Sequence, residues 1–189
     1  MVPLTSLFVA ILVSAVIVFF ASFILHMVVG YHKSDLRKLP DQHEDEIIAL
    51  VSRLNLPTAD YAVPHPGSPE RMKDPAFVAK MTKGPLVIMN VSPGAPPSMG
   101  KSLAMWFVFV VVVTFFSAYI ASRAVTPGSD YLTAFRFVGT SAFMGYALGQ
   151  IPESIWYRRS WVRTFKSVFD SLIYALLTAG VFGWLWPGR

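Results

Sequence analysis

Three ionisable side chains, Asp170, Glu153 and Arg136, lie within or at the ends of long apolar segments of this 189-residue sequence. Charge is costly in an apolar surrounding, so such residues are candidates for proton or ion transfer. Asp170 also follows Lys166 by four residues, a spacing that places both side chains on one helix face as an ion pair. Two interpretations of Asp170 therefore stay open: a transfer group, and one half of a local pair with Lys166 or a nearby arginine.

His26 is the only histidine within an apolar segment, and Ser22 places a small side chain four residues earlier on the same face. This pair resembles the small-residue-then-histidine spacing with which light-harvesting polypeptides ligate bacteriochlorophyll, and an axial haem ligand looks similar. The resemblance implies (bacterio)chlorophyll or haem at His26, whereas a hydrogen bond to a neighbouring helix or a headgroup is the commoner arrangement. No cofactor is therefore predicted. The remaining histidines, His32, His43 and His65, lack the spacing of a metal site and are expected at the surface.

The composition explains why these few polar groups stand out. Hydrophobic residues make up 54% of the chain and charged residues only 14%, against roughly a quarter in soluble domains. The apolar residues form long uninterrupted runs, which predicts spanning α-helices. There is no cysteine, which excludes disulfides, iron-sulfur clusters and a cysteine nucleophile. No basic stripe interleaved with aromatics indicates nucleic-acid binding.

We predict an all-α integral membrane protein, a four-transmembrane-helix bundle with a small, partly folded α/β cytoplasmic segment between helices 1 and 2. Residues 1–31 contain the first span and residues 32–100 form the cytoplasmic segment. Residues 101–189 contain the other spans, at about 102–122, 131–151 and 162–186. Within the segment, the pattern predicts helices over 41–54 and 68–82, the first capped by Asp41, and strands over 59–63 and 85–91.

Orientation follows from the basic residues. All but Arg123, Arg136 and Arg189 of the sixteen Lys and Arg residues fall on one side of such a bundle. The positive-inside rule then places residues 32–100 in the cytoplasm and both termini outside the cell (inner) membrane.

Small residues recur on single faces of the last two predicted spans: Gly145 and Gly149 in the third, and Ser171, Ala175, Ala179 and Gly183 in the fourth. Helices in lipid associate through close backbone approach, which small residues permit. We expect these stripes to be helix contact faces.

The sequence alone favours a non-enzymatic accessory or structural subunit of a larger membrane complex, because it contains no catalytic motif and its polar segment is small. Its expected partners are the lipid bilayer and other membrane-protein subunits or a second copy of itself. A small transporter or membrane enzyme using Asp170, with Glu153 and Arg136, is the alternative. A pigment- or haem-binding protein using His26 is the second alternative.

Overall fold

The computed structural model describes residues 1–96 and 98–188 and is mostly helical. Arg189, which entered the charge count above, lies outside the described residues. Three helical stretches are long and apolar enough to cross a membrane: Leu4–Val29, Met99–Ala124 and Trp161–Trp184. They correspond to the first, second and fourth predicted spans.

The first stretch is built from three kinds of helix. A 3-10 turn over Leu4–Leu7 leads into helix α1 (Phe8–Phe23), and a π-helical segment over Ile24–Val29 follows. Gly30 then ends the helix with a φ of +66°, a left-handed conformation that glycine adopts without strain. The chain turns back on itself there and continues as a 3-10 turn over Tyr31–Ser34.

Residues Arg37–Pro96 form a compact unit of their own. It contains α2 (Asp41–Leu54), β1 (Ala59–Val63), a 3-10 turn (Glu70–Lys73), α3 (Pro75–Lys83) and β2 (Val87–Val91). The two strands pair antiparallel, with Ala59 opposite Val91. The predicted strands are thus present, and so is the helix over 41–54.

Two details of this unit differ from the prediction. Asp41 is the first residue of α2 and does not cap it, because Pro40 occupies the capping position. The single helix expected over 68–82 is split, because Asp74 is extended ahead of Pro75 and its carboxylate accepts a hydrogen bond from the Ala76 amide. Proline disfavours a helical conformation in the residue before it, so a new helix begins at Pro75.

The remaining helices are α4 (Met99–Ala124), α5 (Tyr131–Ala147), α6 (Ile151–Trp156) and α7 (Trp161–Trp184). The third predicted span is interrupted. Its α-helix stops at Ala147 and a 3-10 turn over Leu148–Gln150 leads into α6. The 17 residues of α5 extend about 25 Å at 1.5 Å per residue, somewhat less than a hydrocarbon core of about 30 Å.

The four longer helices pack in a closed arrangement, since α1 and α5 each lie against both α4 and α7. Their interior consists largely of small or hydroxyl-bearing residues, among them Ser117, Ala142 and Thr178, with Val138 and Phe182 as larger members. The hydroxyl groups of Thr114, Ser117 and Thr178 donate to carbonyls one turn back, so they are satisfied within their own helices. Close helix approach is therefore possible along much of the bundle.

The stripes of small residues lie at or near these contacts. Ser171, Ala175, Ala179 and Gly183 are all buried. An added Cβ on Gly183 would lie 2.6 Å from Cε2 of Tyr131, and one on Gly145 would lie 2.9 Å from Cγ1 of Val113. Gly149 differs, because a Cβ placed there meets nothing within 4 Å.

Candidate functional site

The segment from Gly30 to Asp35, hereafter the strap, is fastened to α7 by one ammonium group. Nζ of Lys166 donates to the Tyr31 carbonyl (2.7 Å), to Oγ of Ser34 (2.8 Å) and to Oδ1 of Asp35 (2.9 Å). All three donors of the ammonium are thereby used. The side chain that the sequence suggested as a partner for Asp170 instead holds the turn that follows the first span.

The strap places His32 between two carboxylates. Its Nδ1 lies 2.6 Å from Oδ2 of Asp35 and its Nε2 lies 2.8 Å from Oδ2 of Asp170. The His32 side chain is 13% exposed and that of Asp170 only 4%. The expectation that His32 is a solvated surface residue is therefore wrong, and so is a pairing of Asp170 with Lys166 or a nearby arginine.

Asp35 is the charged support of this arrangement. Partial burial acts to raise the pKa of its carboxyl, but the hydrogen bonds from Lys166 and His32 and the charge of the Lys166 ammonium outweigh burial and lower the pKa below its ordinary value of 3.8. Nε of Arg163 lies a further 3.9 Å from the same carboxylate. Asp35 is consequently ionised at neutral pH, and its carboxylate accepts a hydrogen bond from Nδ1 of His32.

His26 completes the group from the π-helical end of the first stretch. Its Nδ1 lies 3.0 Å from the Ser22 carbonyl, which can only accept, so the Nδ1 hydrogen points there. The ring stacks on that of His32 with centroids 4.3 Å apart and planes 3° from parallel, and Nε2 lies 3.8 Å from Oδ2 of Asp170. Ser22 has a separate task, because its hydroxyl accepts a hydrogen bond from Nε1 of Trp106 at 2.9 Å.

The hydrogen-bonding pattern calls for a cation at the centre. With Nδ1 of each ring donating elsewhere, each neutral imidazole presents only a lone pair at Nε2, and both lone pairs face the carboxylate of Asp170. Lone pairs cannot satisfy an ionised carboxylate, so a proton or a metal ion must lie between them. One ligand atom from each of His26, His32 and Asp170 lies within 4.8 Å of the others, close enough to hold a metal ion.

A small cavity, hereafter the chamber, is lined by Asp170 and by residues of α4, α5 and α7. Its volume is about 130 Å³, and Gln150, Ser167 and Tyr174 are among its lining residues. Oδ1 of Asp170 and the Tyr174 hydroxyl are buried there with no hydrogen-bond partner from the protein. A cavity of this size with polar walls has room for a few water molecules.

Among the other predicted site residues, Arg136 and Glu153 are exposed and lie outside this cluster. Arg136 lines a shallow apolar groove between α5 and α7. Sequence reasoning missed His32 and Asp35, both of which lie on the strap. The signal was weak, because a separation of six residues does not place His26 and His32 on one helix face, and only the turn at Gly30 brings the two rings together.

No protein-family model, curated protein or solved structure matches this chain.

Proposed function

We propose that the chain is a metal-dependent membrane enzyme whose site is formed by His26, His32 and Asp170. The observation that carries the proposal is that Nε2 of two imidazoles lies near one buried carboxylate oxygen of Asp170, at 3.8 Å for His26 and 2.8 Å for His32, while Nδ1 of each ring is held by a further contact. This develops the sequence-based alternative of a membrane enzyme using Asp170. An accessory or structural subunit stays a prediction, to be tested by the composition of the assembly that co-purifies with the chain.

Both histidines carry the outer contacts that metal ligands usually have. His32 donates from Nδ1 to the Asp35 carboxylate and His26 donates from Nδ1 to the Ser22 carbonyl. Such contacts fix the tautomer with Nε2 free for a metal, and the carboxylate–histidine pair raises ligand basicity. Lys166 in turn orients Asp35, so the support extends two contacts away from the proposed ion.

The number and kind of ligands favour a catalytic ion. Two imidazoles and one carboxylate are typical of zinc hydrolases and of non-haem iron(II) sites, and both leave coordination positions for water or substrate. Metal binding requires the His26 ring to turn out of its stack, so that its lone pair converges with that of His32. The His26 side chain is 47% exposed and thus has room to turn.

The proposed topology has four spans, with the site at the cytoplasmic end. Three helical stretches have the length and apolar character to span, and α5 lies between α4 and α7 in the same bundle. The 3-10 turn after α5 adds length to this segment. His26 is three residues from the end of the first stretch, and Lys33 and Arg163 line a cavity together with it. The positive-inside rule assigns this end of the bundle to the cytoplasm.

Proton transfer is the second candidate, and a specific observation favours it. His32 contacts a carboxylate at each ring nitrogen, so it can accept a proton at one nitrogen and release one from the other. That route would join Asp35 to Asp170 and the chamber behind it. A cluster that holds no metal under any condition would favour this role.

The test is the metal content and metal affinity of the full chain purified in mild detergent. We expect one zinc or iron(II) ion per chain, with affinity at least about 100-fold lower in His32→Gln and Asp170→Asn. Asp35→Asn should lower affinity about 10- to 100-fold, as outer contacts to metal ligands do. His65→Gln, at an exposed position in the Arg37–Pro96 unit, is the matched control and should bind like the wild type. Equal affinity in His32→Gln and the control would refute the metal site.

A further inference from the structure

His26 lies where three cavities meet. Besides the chamber, it lines a polar cavity of about 460 Å³, hereafter the vestibule, and an apolar one of about 440 Å³, hereafter the groove. The vestibule also includes His32 on the strap, and the groove also includes Trp106 on α4. A molecule that reaches the metal site thus has a polar approach and an apolar approach to the same residue.

The vestibule has an excess of positive charge. Lys33, Arg159 and Arg163 line it, and its one carboxylate, Asp35, is already bound to Lys166 and His32. Lys33 and Arg159 have no carboxylate partner anywhere in residues 1–96 and 98–188. Unpaired basic side chains around a concave surface attract anions, phosphate groups above all.

The groove has the opposite character. It runs between the first helical stretch and the beginning of α4 and is lined mainly by Phe20, Phe23, Met27, Met99 and Leu103. Phe20, Met27 and Met99 are more than half exposed, so the groove opens on the outer surface of the helices. A spanning helix presents such a surface to lipid, and a hydrocarbon chain fits these walls.

We propose that the site takes a membrane lipid with an anionic, phosphate-bearing headgroup. The headgroup lies in the vestibule near Lys33 and Arg159, and an acyl chain lies in the groove against Leu103. A soluble anion would not contact the apolar groove, and a lipid without net charge would leave the positive charges of Lys33 and Arg159 unpaired. The inference names the substrate class of the proposed metal enzyme and rests on that function only for what happens after binding.

Binding is measured with the full chain in a neutral maltoside detergent, by titration calorimetry. The probes are dioctanoyl phosphatidic acid, dioctanoyl phosphatidylcholine and inorganic phosphate, each with and without a chelator. We expect phosphatidic acid to bind at least about tenfold more tightly than either other probe, because only it engages both cavities. If inorganic phosphate binds as tightly as phosphatidic acid, the groove does not contribute to binding. If phosphatidylcholine binds as tightly as phosphatidic acid, the net negative charge of the headgroup does not contribute. Either result overturns the proposal.

Variants separate the two halves of the site. The double substitution Lys33→Gln with Arg159→Gln should weaken phosphatidic acid by on the order of tenfold or more, since each basic group contributes to anion attraction. Leu103→Trp fills the groove and should weaken the lipid without changing binding of phosphate. Lys101→Gln, at an exposed basic residue outside the vestibule, is the control. Unchanged lipid affinity in the double variant would overturn the proposal.

The metal assay keeps the two hypotheses distinguishable. Selective lipid binding that persists in the chelator and in Asp170→Asn supports the lipid inference even if no metal binds. A chain that holds one metal ion but shows no preference for phosphatidic acid retains the proposed function and loses the lipid inference.

Discussion

Replacing Lys166 by methionine should release the strap from α7. Methionine keeps an unbranched apolar stem but supplies no donor, so the Tyr31 carbonyl, the Ser34 hydroxyl and the Asp35 carboxylate each lose a hydrogen bond. The carboxylate is the costly loss, because its side chain is only 10% exposed and that of Lys166 only 20%.

The magnitude can be bounded from the geometry. Removing one partner of a buried ion pair costs about 3–5 kcal/mol, and each hydrogen bond to a charged group contributes about 1.5–3 kcal/mol. Asp35 is not left alone, however, because His32 lies 2.6 Å away and Arg163 lies 3.9 Å away. We therefore expect the free energy of unfolding to fall by about 2–4 kcal/mol, which corresponds to a thermal midpoint lower by about 5–15 °C.

Lys38→Met is the matched control, because Lys38 is a second lysine that forms an ion pair with an aspartate, here Asp41. That pair is exposed, with 73% of Lys38 and 83% of Asp41 accessible, and such pairs contribute about 0–1 kcal/mol. Thermal unfolding of both variants in the same detergent, followed by far-ultraviolet circular dichroism, gives the comparison. If Lys166→Met shifts the midpoint no more than Lys38→Met does, the strap is not held as described.

Two further predictions concern packing and pH. Gly183→Ala should destabilise the bundle by about 1–3 kcal/mol, because the new Cβ would lie 2.6 Å from the Tyr131 ring. Gly149→Ala is the control and should be neutral or stabilising, since a Cβ there meets nothing within 4 Å. If a denaturant titration gives both variants the same stability, the contact of Gly183 with Tyr131 is contradicted. Because the pKa of Asp35 is lower in the folded chain than its ordinary value of 3.8, the contribution of Asp35 to stability is complete when the pH is well above 3.8. It is lost as the pH falls through the lower pKa of the folded state. In Asp35→Asn the free energy of unfolding should therefore fall less steeply with acid pH than in the wild type. The same dependence on acid pH in both proteins would contradict this prediction.

The predictions that match the structure are those that depend only on neighbouring residues in the sequence. The apolar run from Leu4 to Val29 is helical for 26 residues, as its length requires. Short runs with apolar and β-branched residues, bounded by turn residues, predicted both strands of the Arg37–Pro96 unit. The interruption after Ala147 was not predicted, although Gly149 and Pro152 mark it in retrospect as a weak point in the helix.

The cluster could not be derived from sequence, because it depends on contacts between residues far apart in the chain. His32 and Asp170 are separated by 138 positions, and no periodicity relates them. The spacing of Lys166 and Asp170 predicted a local pair, but a side chain with three donors gains more from the carbonyl, hydroxyl and carboxylate that the strap presents together. Tertiary contacts therefore overrode the local spacing.

The two halves of the site differ in how they are held, and this bears on how a ligand could act there. Asp170 is fixed within α7, whose neighbours α1 and α5 surround it along the bundle. His32 belongs to a six-residue strap that depends on Lys166 and on the turn at Gly30. A cation bound between them would join the strap to α7 at Asp170, apart from the contacts of Lys166. Because ligand binding stabilises the state that binds it, the cation should strengthen the strap more than the bundle.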